Sequence, residues 1–302
     1  MASLKDSYSK QALRLKGSSM GSLRSALLLA GLLLANGATA EEVRITGVDG
    51  HTLTLHLKAK VWPEHSVEAA SATFTANGKT FPLYGTDIGV EVLPRWLSPD
   101  KKTLLVNQTM YGMLSDGSGE DSFQSRSHCD VISMETGCVL LQRDDQFCAG
   151  KWVGNSWTTD EGEVLKPEME TPSPQALLKT LSNIESAQYR ASEIEWSLVM
   201  GADSYMACHP PARNVQGLND LGFYLAEGGN DALALKLYRG VEAVGKRTVL
   251  MLNIADSLWR LDRKDEAQRY YSQYRDAMSA DGKAQKIPRR VVERSAIQGM
   301  KH

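Results

Sequence analysis

Apolar and polar residues alternate with a period of two over residues 41–157. An Asp-Gly pair at 49–50 and an Asn-Gly pair at 77–78 each separate two alternating segments, and a Glu-Thr-Gly turn at 135–137 separates two more. Asp-Gly and Asn-Gly pairs in this context are typical of β-hairpins, because both turn residues tolerate a positive φ. The pattern predicts an antiparallel β domain over residues 41–157, arranged as a small sandwich or sheet.

The alternation stops at residues 158–174, where acidic residues and prolines are concentrated. The segment contains Asp160, Glu161, Glu163, Glu168 and Glu170 together with Pro167, Pro172 and Pro174. Segments of this composition tend to stay extended and solvated, because they have too few apolar side chains to bury. The composition predicts an acidic linker between two parts of the chain.

The apolar period then changes to that of a helix over residues 175–302. Ser173 followed by Pro174 is a helix-start signal. Apolar residues at helical spacing follow at Leu177, Leu178, Leu181 and Ile184. A second helix is expected over residues 194–206. The chain is therefore predicted to be α+β and multidomain, with an N-terminal antiparallel β domain followed by a C-terminal helical domain.

Five positions in the helical part recur at an offset of 33 residues. Leu221, Gly222, Leu225, Ala234 and Tyr238 are followed at this offset by Ile254, Ala255, Leu258, Ala267 and Tyr271. Two helices that pack closely need a small residue where they cross, which accounts for Gly or Ala at two of the five positions. The recurrence predicts two successive helical hairpins.

These positions resemble the tetratricopeptide repeat (TPR) family over about residues 215–280. The resemblance implies a concave surface, lined by the first helix of each unit, that binds a peptide or a protein loop and has no catalytic role. The residues it places on that surface are Asn219, Asp220, Phe223, Asn253, Asp256 and Ser257. Residues 174–208 are expected to supply a divergent first unit, and residues 288–296 a capping helix.

The apolar run at residues 26–35 predicts a secretory signal peptide over residues 1–40. Arg24 precedes the run, and the small residues of Ala38-Thr39-Ala40 follow it, as a cleavage site requires. The run is too short to span a bilayer, which takes about 20 residues. We therefore expect cleavage after Ala40, no transmembrane span in the mature chain, and a periplasmic or secreted location. Residues 1–19 form an extension ahead of Met20, which is itself a suitable start.

Composition and charge exclude several classes of protein. The chain has 302 residues, 42% of them apolar and 23% charged, which is ordinary for a globular protein. Its net charge of −2 gives no electrostatic reason to expect nucleic acid as a partner. Only the C-terminal fifth is basic, and this is consistent with either a solvated helical face or a surface for an acidic partner. The basic residues are Arg260, Arg263, Lys264, Arg269, Arg275, Lys283, Lys286, Arg289, Arg290 and Arg294.

The cysteines are candidates for disulfides, because export would place them in an oxidising compartment. They are Cys129, Cys138, Cys148 and Cys208, and their spacing matches no zinc-binding pattern. Four cysteines allow three pairings, and the sequence does not choose among them. We expect at least one disulfide among the first three, which lie close together in the β region.

Motifs that carry catalysis are absent from the sequence. The six histidines have no HExxH spacing, and no GxSxG, P-loop or dinucleotide-binding pattern occurs. The acidic segment 115–121 lacks the alternation and the terminal Glu of a calcium loop.

We therefore predict a non-enzymatic exported protein, without a cofactor or metal, that binds a protein partner. It would act as an immunity protein against a delivered toxin or as an adaptor in envelope assembly. Two alternatives remain at this point. One is a hydrolase with its site in the β domain. The other is a glycan or small-ligand module that uses Trp62, Trp96, Trp152 and Trp157 as stacking surfaces.

Overall fold

The computed structural model describes residues 42–57, 69–83, 88–115, 121–198 and 201–295. The predicted signal peptide, Trp62 and the tip of the acidic loop at 116–120 lie outside the described residues. Within them a β region is followed by a helical region, so the predicted α+β class is confirmed.

The first sheet has four strands in the order β1-β2-β3-β4. Their bounds are Glu42–Thr46, Thr52–Leu57, Ala69–Ala76 and Lys79–Pro82. Both predicted hairpin turns are present, at Asp49-Gly50 between β1 and β2 and at Asn77-Gly78 between β3 and β4. Asn77 and Gly78 have φ values of 52° and 73°, as the tight two-residue turn requires.

The second sheet also has four antiparallel strands, in the order β5-β6-β7-β8. Their bounds are Ile88–Glu91, Thr103–Ser115, Asp121–Ser133 and Val139–Asp144. The turn between β7 and β8 contains Gly137, as predicted, and its φ is 76°. A Cβ atom at Gly137 would lie 2.5 Å from the Phe74 ring, so this turn requires glycine both for its backbone and for its packing.

A third, three-stranded sheet extends into the segment 158–174, which the composition predicts to be a linker. Its strands are β9 (Gly150–Val153), β10 (Ser156–Thr159) and β11 (Val164–Leu165), in the order β11-β10-β9. Trp157 on β10 pairs with Leu165 on β11, and both side chains are buried. Glu161 and Glu163 stay exposed in the turn. Strands β10 and β11 have four and two residues, too few to show an alternating pattern in the sequence. The acidic residues of the turn between them make the segment resemble a linker.

In the described part of the chain, eight helices follow the β region. Their bounds are α1 (Pro174–Leu181), α2 (Ala187–Ser197), α3 (Ala202–Cys208), α4 (Pro211–Glu227), α5 (Asp231–Glu242), α6 (Thr248–Arg260), α7 (Lys264–Ala280) and α8 (Arg289–Ser295). The Ser173 hydroxyl caps α1 by accepting a hydrogen bond from the Ala176 N–H, as the Ser-Pro signal predicts. The helix predicted over 194–206 is wrong as one element, since α2 ends inside this range at Ser197 and α3 begins at Ala202. Gly201 has a φ of 90°, which interrupts a right-handed helix.

The recurring residues lie where the sequence predicts them, inside two helical hairpins. Helix α4 packs against α5, and α6 packs against α7. Gly222, Ala234, Ala255 and Ala267 are buried. A Cβ atom at Gly222 would lie 2.5 Å from the ring of Tyr238, so the first unit needs glycine where the second has Ala255. Helices α1 and α2 pack on α4, and α8 packs on α7 at the other end.

The β and helical regions meet at α3, which lies against β8. The Ser204 hydroxyl donates to the Gly137 carbonyl (2.8 Å) and accepts from the Val139 N–H (3.1 Å). The disulfide between Cys138 and Cys208 adds a covalent link between the two regions. Among the described helices, none combines the length and apolar character needed to cross a bilayer.

Candidate functional site

Helices α4 and α6 present neighbouring outer faces that carry most of the predicted binding residues. We call these residues the α4/α6 face: Gln216, Asn219, Asp220, Phe223, Val249 and Asn253. On each helix they are spaced three or four residues apart, so they share one side. A hydrogen bond between Asn219 and Asn253 shows that the two sides adjoin.

The centre of the α4/α6 face is a short chain of polar contacts. The Asn253 Nδ2 donates to Asn219 Oδ1 at 3.0 Å, and the Asn219 Nδ2 donates to Asp220 Oδ1 at 3.2 Å. Gln216 Nε2 also donates to Asp220 Oδ1, at 2.7 Å. Among the described residues, Asn253 Oδ1 and Asp220 Oδ2 accept no hydrogen bond. The face therefore retains one neutral and one anionic acceptor for another molecule.

Two exposed apolar side chains flank these polar groups. Phe223 on α4 is 49% exposed and Val249 on α6 is 64% exposed. A single exposed apolar residue is ordinary on a protein surface. Here one lies on each of two adjoining helices, beside acceptors that have spare capacity, and this combination can contact both the side chains and the main chain of a partner.

The structure gives different roles to the other two predicted binding residues. Ser257 is fully buried, because its position on α6 turns it toward the helical core rather than the outer face. Asp256 accepts hydrogen bonds from the Tyr271 hydroxyl (2.6 Å) and from two nitrogens of Arg290 (3.0 and 2.8 Å). Burial, and secondarily the hydrogen bond to Asp256, raises the pKa of Tyr271. Asp256 therefore links α6 to α7 and α8.

The contact between Asp256 and Arg290 has the same spacing as the contact between Asn219 and Asn253. Each joins residues 34 positions apart, the first from α6 to α8 and the second from α4 to α6. Helix α8 thus continues the row formed by the first helix of each hairpin. Sequence reasoning counted Arg290 only as a basic surface residue, although the spacing is visible in the sequence.

Most of the basic C-terminal residues are neutralised within the helical region. Eight of the ten form ion pairs: Arg260 with Asp231, Arg263 with Glu266, Lys264 with Asp262, Arg275 with Asp276, Lys283 with Asp281, Arg289 with Glu293, and Arg290 and Arg294 with Asp256. Paired cations attract an external anion less strongly than free ones. This pairing favours a solvated helical face over a surface for an acidic partner.

Three tryptophans of the β region lie among the described residues, and they pack against its core. Trp157 is fully buried and Trp96 is 4% exposed. Trp152 donates from its indole N–H to the Trp96 carbonyl at 3.1 Å, and its ring packs edge-on against Trp157. Trp96 and Trp157 therefore form part of the β core, and Trp152 is half-buried against it.

All four cysteines are paired. Cys129 pairs with Cys148 inside the β region, and Cys138 pairs with Cys208 across the junction with the helices. The first pair joins two of the three cysteines that are clustered in the sequence, as expected. The second pair joins the remaining clustered cysteine to Cys208, 70 residues away. No group of three metal-binding side chains occurs in the part of the chain that the structure describes.

Comparisons with protein-family models, with curated proteins and with solved structures find no match to this chain. The geometry of its own residues is therefore the basis for assigning a function.

Proposed function

We propose that this protein is exported and binds a protein partner through the α4/α6 face, without catalysing a reaction. The observation that carries the proposal is the pairing of exposed apolar side chains with unused acceptors on two adjoining helices. Phe223 can anchor an apolar side chain of the partner. Asn253 and Asp220 can accept hydrogen bonds from main-chain amides or from a Lys or Arg side chain.

The two disulfides support the part of the proposal that concerns export. Disulfides persist in proteins that leave the cytoplasm, because the cytosol keeps thiols reduced. The residues before Glu41 add a run typical of a signal peptide. Edman sequencing of the protein from an envelope fraction should therefore begin at Glu41. An uncleaved N-terminus on protein found in the cytoplasm would contradict export.

Site-specific photocrosslinking tests the binding face directly. A photoreactive phenylalanine analogue at Phe223 or Val249 should capture a discrete partner in cells. The same analogue at Val153 or Val164 should not, since these controls are similarly exposed, each at 57%, but lie on the third sheet. The captured protein would be purified and its affinity measured.

The affinity of the purified partner then decides the role of the face. Truncating a central aromatic residue of an interface costs about 2 kcal/mol or more, so Phe223→Ala should weaken binding by about 30-fold. Val153→Ala should leave binding unchanged. Crosslinks at the control positions but none at the α4/α6 face would overturn the proposal.

In binding its partner, the protein would either neutralise a delivered toxin or act as an adaptor in envelope assembly. A partner that stops growth when expressed alone, and is harmless beside the wild-type protein, would establish neutralisation. Phe223→Asp should then abolish protection, because it buries a charge where the partner needs an apolar contact. A partner without toxicity would favour an assembly role.

A further inference from the structure

A cavity of about 250 Å³ lies where α2 and α3 meet the β region, away from the α4/α6 face. Its walls come from β8, from residues 170–172, from the end of α2 and from α3. We call it the junction cavity. The proposed function makes no use of it.

The lining of the junction cavity is more apolar than polar, and several polar residues contribute to it. The Ser204 hydroxyl is used twice, by the Gly137 carbonyl and by the Val139 N–H. The Tyr205 hydroxyl donates to the Pro172 carbonyl at 3.0 Å, and the Thr171 hydroxyl donates to the Val139 carbonyl at 2.7 Å. Because these hydroxyl protons are already donated within the wall, an apolar group of a ligand suits the cavity better than a hydrogen-bond acceptor does.

The rim of the junction cavity carries the groups that can recognise a polar head. Arg143 donates to Glu170 at 2.6 Å, and each side chain remains partly exposed. The hydrogen bond between them raises the pKa of Arg143 and lowers the pKa of Glu170, so both are charged at neutral pH. Trp196 also lines the cavity and is 61% exposed. The rim therefore offers a positive charge, a negative charge and an aromatic ring.

The size of the cavity limits the ligand. Sites for drug-sized molecules usually enclose about 300–1,000 Å³. The junction cavity is somewhat smaller, which suits one apolar group the size of a large amino-acid side chain.

We propose that the junction cavity binds a free hydrophobic amino acid. Its side chain enters the cavity and contacts Trp196, while its carboxylate meets Arg143 and its ammonium meets Glu170. Arg143 and Glu170 already pair with each other, so the rim presents a charge pair and not a lone charge. A zwitterion can lie antiparallel to this pair, whereas a simple anion or cation is attracted by one of the two charges and repelled by the other.

Titration with defined amino acids tests the proposal on the full mature chain with its disulfides formed. L-phenylalanine and L-leucine should give saturable chemical-shift changes in NMR spectra, at concentrations up to about 10 mM. N-acetyl-L-phenylalanine lacks the ammonium and L-phenylalaninamide lacks the carboxylate, so each should bind about tenfold more weakly. L-serine should not bind, because it has no apolar group to bury.

Rim variants localise the binding. Trp196→Ala and Glu170→Gln should each weaken the binding of L-phenylalanine by about tenfold. Neither change should lower the melting temperature of the protein, since both residues are exposed. Tyr189→Ala is the matched control, because Tyr189 is a 57% exposed aromatic residue on the same helix as Trp196. It should leave binding unchanged.

Two outcomes would overturn the proposal. One is the absence of saturable binding by either hydrophobic amino acid. The other is equal binding of N-acetyl-L-phenylalaninamide, which would show that the cavity accepts a side chain within a peptide instead. Neither outcome affects the proposed partner, because crosslinking at Phe223 reports on a different surface.

Discussion

Single side chains that the sequence marks for binding also contribute to the fold. Asn219 and Asn253 look like free surface amides in the sequence, yet each is the other's hydrogen-bond partner. Asp256 has more such contacts, since its carboxylate contacts Tyr271, Arg290 and Arg294. A polar residue on a helix face can therefore be a structural group, and only its neighbours on the next helix reveal which role it has.

A double-mutant cycle measures the structural share of the Asn219–Asn253 contact. Each single change to Ala should lower the free energy of unfolding by about 0.5–1.5 kcal/mol, the usual net value of a hydrogen bond. The double variant should lose about 1 kcal/mol less than the sum of the two. Asn253→Ala combined with Gln188→Ala, an exposed residue on α2, is the control and should be additive. Additivity in the first pair would mean that the contact contributes nothing to stability.

At the scale of elements, α8 depends on the contacts that hold it. It has seven residues, too few for a helix that is stable alone. Arg290 binds Asp256 through two nitrogens, and the Arg294 guanidinium lies 4.5 Å from the centre of the Trp259 ring. Val291, which lies between these two arginines in the sequence, is fully buried. The end of the helical array is thus closed by one apolar and two cationic side chains.

Hydrogen exchange can test how α8 is held. Arg290→Met should speed amide exchange in α8 by about tenfold, because it removes a charge-assisted pair and leaves Asp256 without its bidentate partner. Arg289→Met removes the same charge from the neighbouring position, where the side chain is 91% exposed and pairs only with Glu293. It should change exchange little, since exposed pairs contribute under about 1 kcal/mol. Equal effects of the two variants would show that net charge, and not the Asp256 contact, holds the helix.

At the scale of the whole molecule, the two disulfides do different work. Cys129–Cys148 closes a loop with a sequence separation of 19 inside the β region. Cys138–Cys208 closes one of 70 and crosses from the β region to the helices. The longer loop removes more conformational freedom from the unfolded chain, and it also keeps α3 seated on β8.

Denaturant unfolding of paired variants should separate these contributions. Replacing Cys138 and Cys208 by Ala should cost about 4 kcal/mol, and replacing Cys129 and Cys148 by Ala about 3 kcal/mol, from loop closure alone. Only the loss of the Cys138–Cys208 disulfide should also loosen the junction between the β and helical regions, which would be seen as faster amide exchange in α3. Equal exchange in both variants would mean that the hydrogen bonds of Ser204, Tyr205 and His209 hold α3 without the disulfide.

The sequence by itself determined the features that depend on neighbours along the chain. The hairpin turns at Asn77-Gly78 and Gly137, the cap at Ser173 and the buried small residues of the two helical hairpins all follow from local conformation or from helical spacing. The candidate face on α4 and α6 was also visible, because the recurrence at 33 residues places equivalent positions on equivalent helices. These inferences need no knowledge of which distant segments meet.

Tertiary structure decided whatever depends on contacts between distant segments. The pairing of Cys138 with Cys208, the short strand at Val164–Leu165 and the bond from Glu170 to the Leu140 carbonyl join residues whose meeting no local pattern encodes. Contacts between distant segments also decide that Ser257 is buried in the core and that Asp256 accepts hydrogen bonds from Arg290. Periodicity assigns a residue to a side of its helix, but which helix covers that side depends on how the whole chain packs, because burial and pairing are set by the neighbours in space.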